Sequence, residues 1–431
     1  MLGGGRSERC MGRSEKRKAR YWERGWWPVF TFQSVCVCVL ICALLCVFLP
    51  MAACSREAPR GGPLEVVACF GESGNAPGQF GYPRCIEQDG DSLWVIDKLA
   101  RVQRLDPRAG RSLEVWRTPK FDNGKPTGVT VWRPEQREAG EVGGRTDQSL
   151  LFIADTHEHR ILVYEIRALD AAQAGGTPIE QAPKLLGSFG SYGESDGQMV
   201  YPTDICVVAS PDGRLIERVY VSEYGGNDRI SIWEPKAQAL RASETMGLQA
   251  KPNSSEDRYG DWRFVRSFGT FGDSVSAENV QFSRPQMMTL SDDGRQLVIA
   301  DACNHRIGVF TLEGALVRWI ATQGPGKEPG QLAYPYAVLP LGDGTIMVTE
   351  YGNNRLQRLD IESGASLGIF GQQGRGAGQL STPWGMTRIG DRLYVLDSGN
   401  SRIVAISVPR GRPEALSPAL AAHQGTTGGG P

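Results

Sequence analysis

The stretch DACNHRIGVF, residues 301–310, offers an acid, a thiol and an imidazole at alternate positions: Asp301, Cys303 and His305. On an extended strand all three side chains would share one face, a spacing that could hold a metal ion. Self-similarity along the chain argues for a duller role. WVIDKLARVQRL (94–105), FIADTHEHRILVY (152–164), YVSEYGGNDRISIW (220–233), VIADACNHRIGVF (298–310), MVTEYGNNRLQRL (347–359) and YVLDSGNSRIVAI (394–406) are one pattern. Each gives an apolar strand-like run, an acid, a short polar turn, an arginine and a second strand-like run. The acid and the arginine persist while the cysteine position varies. Metal coordination is therefore not expected here, and no cofactor is expected elsewhere.

A second phrase precedes most copies. CFGESGNAPGQFGYP (69–83), SFGSYGESDGQMVYP (188–202), SFGTFGDSVSAENVQFSRP (267–285), TQGPGKEPGQLAYP (322–335) and IFGQQGRGAGQLSTP (369–383) share an early glycine, polar filler, usually Gly-Gln with an apolar residue, and a closing proline. Before Pro126 only TPKFDNGKP remains. Together the two phrases resemble the NHL repeat over residues 64–408, and the resemblance implies an all-β, six-bladed β-propeller with four antiparallel strands per blade.

The repeat then assigns the strands. Strand a follows the proline, b ends at the acid, c begins at the arginine, and d leads into the next glycine phrase. Proline presets φ where the inner strand begins and needs no amide hydrogen there. The last copy stops after RIVAISVP and lacks an outer strand, while PLEVVACFG (63–71) is a strand without a blade. Residues 64–70 are expected to complete the last blade and close the ring, removing exposed edges. About 57 residues per repeat exceeds the roughly 40–50 usual for propeller repeats. The excess falls at 133–148, 167–184 and 234–261, expected at loop tips on the face opposite the glycine phrases.

The acid–arginine pairs are Asp97 with Arg101, Asp155 with Arg160, Glu223 with Arg229, Asp301 with Arg306, Glu350 with Arg355 and Asp397 with Arg402. A structural role is expected, each arginine bracing its acid and nearby carbonyls with its fork of donors. Unlike residues follow the inner-strand prolines: Arg84, Asp204, Gln286, Tyr336 and Trp384. A cation, an acid, an amide and two aromatics at a channel mouth suit capture of a ligand, and these five are the candidate binding residues.

The resemblance also implies activities to weigh. Some NHL-type propellers are zinc-dependent peptide-amidating lyases with metal histidines near the inner-strand starts, and no histidine stands at those positions here. Lactonase-like six-bladed propellers hold calcium with Glu, Asn and Asp at the mouth; Asp204 alone has a suitable place, against six to eight oxygen ligands. Other NHL proteins carry RING cysteine arrays or bind RNA. No such array occurs, and a formal charge of −1 that includes a strongly basic leader leaves the remainder acidic, which argues against nucleic acid.

The leader is a separate domain, residues 1–54. Arg6, Arg9, Arg13, Lys16, Arg17, Lys18, Arg20 and Arg24 precede an uncharged apolar run, VFTFQSVCVCVLICALLCVFL (29–49). That run is long enough to span a bilayer, with its basic side cytoplasmic. LPMAAC (49–54) resembles the bacterial lipobox, which would make Cys54 a lipidation site. The expected location is the cell envelope, membrane-attached by lipid or by an N-terminal anchor, with the propeller outside the cytoplasm. Cys69, Cys85, Cys206 and Cys303 lack any C-x-x-C pair; burial as small apolar packers is the default, and a disulfide among them stays open. Residues 409–431 are small, polar and glycine-rich, a composition that predicts disorder. Two functions follow as expectations: a noncatalytic binding or scaffold module for protein, peptide or glycan, or an exported lyase or hydrolase of the amidating-lyase or lactonase kind with a divergent site.

Overall fold

Alternating apolar runs bounded by glycine, proline and the acid–arginine corners fold into six four-stranded antiparallel sheets. The structure, a computed structural model, describes residues 64–122, 125–135, 149–169, 175–236 and 258–408. The leader with Cys54 and the tail from 409 lie outside the described residues, as do the middles of the three insertions.

From inner to outer strand, blade one is Pro83–Asp89, Ser92–Asp97, Arg101–Asp106 and Arg111–Arg117; blade two is Gly128–Trp132, Leu150–Asp155, Arg160–Glu165 and Lys184–Phe189. Blade three is Pro202–Ala209, Ile216–Glu223, Ile230–Pro235 and Trp262–Phe268, and blade four is Pro285–Leu290, Gln296–Asp301, Arg306–Thr311 and Leu316–Ile320. Blade five is Pro335–Pro340, Thr345–Glu350, Arg355–Asp360 and Ser366–Phe370. Blade six takes Met386–Ile389, Arg392–Asp397 and Arg402–Ser407 from the end of the chain, and its outer strand, Glu65–Phe70, from the start. Every second strand ends on the acid, and the third strands of the five blades other than blade three begin on the arginine, blade three beginning one residue later at Ile230.

The closing strand is antiparallel to the last one, with Glu65 opposite Ser407 and Phe70 opposite Ile403. Chain start and chain end thus share one sheet, and no blade is left with three strands. The core consists of apolar layers between neighbouring blades. Trp94, Trp116, Ile153 and Tyr164 fill the layer between blades one and two; Ile86, Leu93, Tyr394 and Ile403 fill the layer across the closure. Close packing of inner strands also needs glycine once: a Cβ on Gly128 would lie 2.5 Å from the Thr203 carbonyl oxygen of blade three.

The described ends of the insertions add to this packing. Ile179 exchanges backbone hydrogen bonds with Leu113 and Val115 on the outer strand of blade one. Tyr259, buried, stacks its ring against Trp262 and meets Trp132 edge-on. Among the described residues no helix is long and apolar enough to cross a membrane.

Candidate functional site

All six acid–arginine pairs form, and each acid is buried. In blade four, Arg306 Nε donates to Asp301 at 2.8 Å, and its two terminal nitrogens donate to the carbonyls of Asp273 and Gln281 in the glycine phrase. Its guanidinium also lies 3.7 Å over the Trp319 ring. Arg229 reaches Glu194 and Gln198, and Arg355 reaches Lys327 and Gln331, in the same manner. The acid's remaining oxygen accepts a backbone N–H just before the inner strand, as Asp301 does from Ser283. The arginine therefore ties a corner to the loop that enters its own blade.

Blade two shows the rule by its exception. Its entering phrase is the degenerate TPKFDNGKP, and there Asp155 Oδ1 and Arg160 Nη2 are buried without a hydrogen-bond partner. Among the described residues, the atoms that the other five blades satisfy from the glycine loop find no loop partner in this one, Arg160 Nη2 keeping its 2.9 Å ion pair with Asp155.

The residue before the arginine has a second task. His159 Nδ1 accepts the backbone N–H of Tyr201 at 3.1 Å, and His305 Nδ1 accepts that of Tyr334 at 3.0 Å. Asn354 accepts from Thr382 at 2.7 Å, and Asp228 accepts from Arg284. At four of the six junctions a side chain of one blade thus latches the entrance of the next. The latched residues Tyr201, Arg284, Tyr334 and Thr382, with Tyr82, all precede the inner-strand proline, and all have φ between 43° and 57°. Non-glycine residues rarely adopt this left-handed conformation; here the backbone N–H is turned toward the neighbouring blade. His305 is accordingly an acceptor between blades. Among the described residues no three His, Cys, Asp or Glu side chains group as metal ligands.

The same turn sets the side chains that surround the channel mouth. Of the five residues chosen from the sequence, the structure brings three together. Arg84 holds its guanidinium 5.4 Å from the Trp384 ring centroid, and Trp384 meets Tyr336 at 4.7 Å. Four further residues join them that the residue-after-proline rule missed. Tyr82 meets Trp384 edge-on at 5.9 Å, and Tyr351 stacks on Tyr336 at 4.6 Å. Arg284 lies 5.0 Å from Tyr224 and 5.9 Å from Tyr336. From Tyr224 the rings continue outward through Tyr201 and His159 to Tyr192, which is 70% exposed. A signal existed in the sequence: tyrosine directly precedes the proline at 82, 201 and 334.

Asp204 and Gln286 do not join the mouth cluster. Asp204 is buried, and its carboxylate accepts the Met288 backbone N–H at 2.7 Å, bridging blade three to blade four. Gln286 is buried too, with Nε2 unpartnered. Burial pushes the Asp204 carboxyl up to about 7. Burial and the neighbouring Asp204 push Glu87, on the inner strand of blade one, up to about 8. Glu87 keeps some accessible surface but is enclosed by protein. Cys85 and Cys206 lie within reach of both charges, and burial raises their thiols. Cys69, Cys85, Cys206 and Cys303 are all free thiols.

Comparison with known proteins agrees with this architecture. The family model described as NHL repeat matches residues 282–310, the end of the glycine phrase and the first three strands of blade four. No curated protein matches the chain. Among solved structures, a structural genomics protein of unknown function from Bacteroides thetaiotaomicron is similar, with a TM-score of 0.51 and 14% identity over 80% of this chain and 76% of that one. That likeness is one of fold. The chain carries an NHL repeat within a six-bladed β-propeller.

Proposed function

We propose that this propeller is a membrane-anchored, extracytoplasmic, noncatalytic binding module that takes a protein, peptide or glycan ligand against its channel mouth. The observation that carries the reading is the asymmetry of that mouth. Corners, latches and inter-blade layers repeat around the ring, whereas Tyr82, Arg84, Tyr224, Arg284, Tyr336, Tyr351 and Trp384 break the repeat and contact one another. Rings and phenol hydroxyls offer stacking and hydrogen bonding with few rotatable bonds, a favourable composition for recognition. Nucleic acid is not the expected partner, because the chain outside its basic leader is net acidic.

The raised carboxyls of Glu87 and Asp204 are the feature an acid–base enzyme would use. Asp204, however, is already engaged with the Met288 backbone as a bridge between blades, a bond that opposes the rise caused by burial, so the carboxylate has a structural task. Membrane attachment rests on the basic and apolar leader and on the lipobox-like LPMAAC. Both parts can be tested with the full-length chain in detergent. On peptide and glycan arrays, Trp384→Ala should abolish the wild-type binding pattern while keeping the wild-type thermal midpoint within a few degrees; unchanged binding would refute the mouth as the site. Labelling cells with a radioactive fatty acid should mark the wild type and leave Cys54→Ala unmarked, and an unlabelled wild type retaining residues 1–53 would refute lipidation.

A further inference from the structure

Arg84 and Arg284 enter the mouth from blades one and four, three blades apart and so on opposite sides of a six-membered ring. They approach the same aromatic pair from two directions, Arg84 at Trp384 and Arg284 at Tyr336, whose rings touch each other. Both arginines are half-buried. Neither has the carboxylate that each of the six corner arginines has.

Among the described residues Arg84 makes one side-chain hydrogen bond, from Nη1 to the Lys125 carbonyl at 3.3 Å, and the Arg284 guanidinium makes none. The Nε of each is buried and unpartnered. Asp228, close to Arg284, spends its oxygens on the backbone N–H groups of Arg284 and Gly226. Lys125 adds to the positive side, and His157 is held toward its neutral form by burial first and then by the charges of Lys125 and Arg84. Burial lowers the pKa of Arg84, and the like charge of Arg284 lowers it further; at Arg284 burial acts the same way but is outweighed by Tyr336 and Tyr224, so its pKa is raised, and the case for the pair rests on the missing carboxylate partners.

A half-buried guanidinium without a counter-charge is costly, and here two share one opening. An incoming anion would remove that cost. We propose that Arg84 and Arg284 form an oxyanion clamp across the channel mouth, holding one carboxylate or phosphate group of a ligand whose ring or apolar body lies against the mouth aromatics. Planar guanidinium forks match the oxygens of either group. Beyond the two arginines the path toward Tyr192 continues through the rings of Tyr201 and His159, which suit the ring or apolar body of such a ligand. This inference rests on the mouth being the binding site.

Calorimetric titration of the full-length chain in detergent, at constant ionic strength maintained with chloride, tests it with benzoate and inorganic phosphate as probes. Saturable binding of at least one probe is expected, weakened at least about tenfold by Arg84→Gln or by Arg284→Gln. Arg108→Gln, at an exposed arginine paired with Asp91, should bind as wild type does. A tighter benzoate identifies the carboxylate source, and a tighter phosphate the phosphate source. The variants should keep the wild-type midpoint within a few degrees without probe and should lose the rise in midpoint that the probe gives the wild type. Heats that fail to saturate, or that are equal in wild type and both variants, would overturn the clamp. Array binding that is lost in Trp384→Ala alongside such a result would leave the wider binding reading standing.

Discussion

His305 Nδ1 receives the backbone N–H of Tyr334 across a blade junction, and one junction later Asn354 receives that of Thr382 in its place. A ring nitrogen and an amide oxygen are thus interchangeable in one task, provided each is an acceptor. His305→Asn should be almost silent in denaturant unfolding. His305→Leu should cost about 1–3 kcal/mol, the penalty for leaving a part-buried donor unpaired. Equal midpoints for the Leu and Asn variants would remove the latch.

The latch also gives stability a pH dependence. Burial lowers the pKa of both His159 and His305, with the Glu158 charge opposing it at His159. A folded-state pKa below the unfolded value, about 6.5 for histidine, means the latch's contribution is present above that value and is lost as pH falls through the lower folded one. Glu87 and Asp204, raised to about 8 and about 7, act in the opposite sense, favouring the fold as they protonate. The comparison that isolates the histidines is wild type against His159→Asn with His305→Asn. From pH 7 down to pH 5 the wild type should lose more thermal stability than the double variant, and parallel curves would contradict the assignment.

Corner arginines should differ in worth by blade. Arg306→Met strands the buried Asp301 and releases two loop carbonyls, a loss expected at about 3–5 kcal/mol. Arg160→Met also strands an acid but releases no glycine-loop carbonyl, so it should cost less by about 1–2 kcal/mol. Guanidinium unfolding of the two variants measures the difference, and the reverse order would refute the account of the corner.

Closure is tested by truncation. Deleting residues 64–70 exposes the edge from Ile403 to Ser407 and opens the layer holding Phe70 against Tyr394. The thermal midpoint should fall by more than about 5 °C, while deleting 414–431 should leave it unchanged. Equal midpoints would sink the closure.

Much of this was legible because a repeat states its own grammar six times. The acid at the end of one strand, the arginine at the start of the next and the missing outer strand at Ser407 could be read without coordinates, since each is a local pattern or a count. The mouth was legible only in part. Arg84, Tyr336 and Trp384 directly follow their prolines and do meet, but Gln286 at the same position and Asp204 one residue further on are buried apart from them. A bulge stands beside the proline in blades one, three, four and five alike, so neither proline nor bulge fixes which way the following side chain faces. Tyr82 and Arg284 reach the mouth through a left-handed φ before proline, a conformation a sequence rule would not assign to them. The imidazole latches were illegible for another reason: donor and acceptor belong to different blades.

Blade two lost its entering glycine phrase, and that loss reaches beyond its own corner. Ala100, at the latch position of blade one, has no side-chain acceptor, and Lys125 does not take the left-handed turn. At its proline end the junction between blades one and two is therefore left with the weak Cys85 thiol contact to the Val129 carbonyl and the Arg84 bond to Lys125, while Arg133 on Asp89, Arg167 on Glu114 and the Ile179 backbone bonds tie the two blades elsewhere. Local opening is expected at an entrance that no latch holds. Amide hydrogen exchange should begin at residues 125–128 and spread into the inner strand of blade two before it reaches the seam where the two ends of the chain meet, so the ring's breathing point lies within the continuous chain.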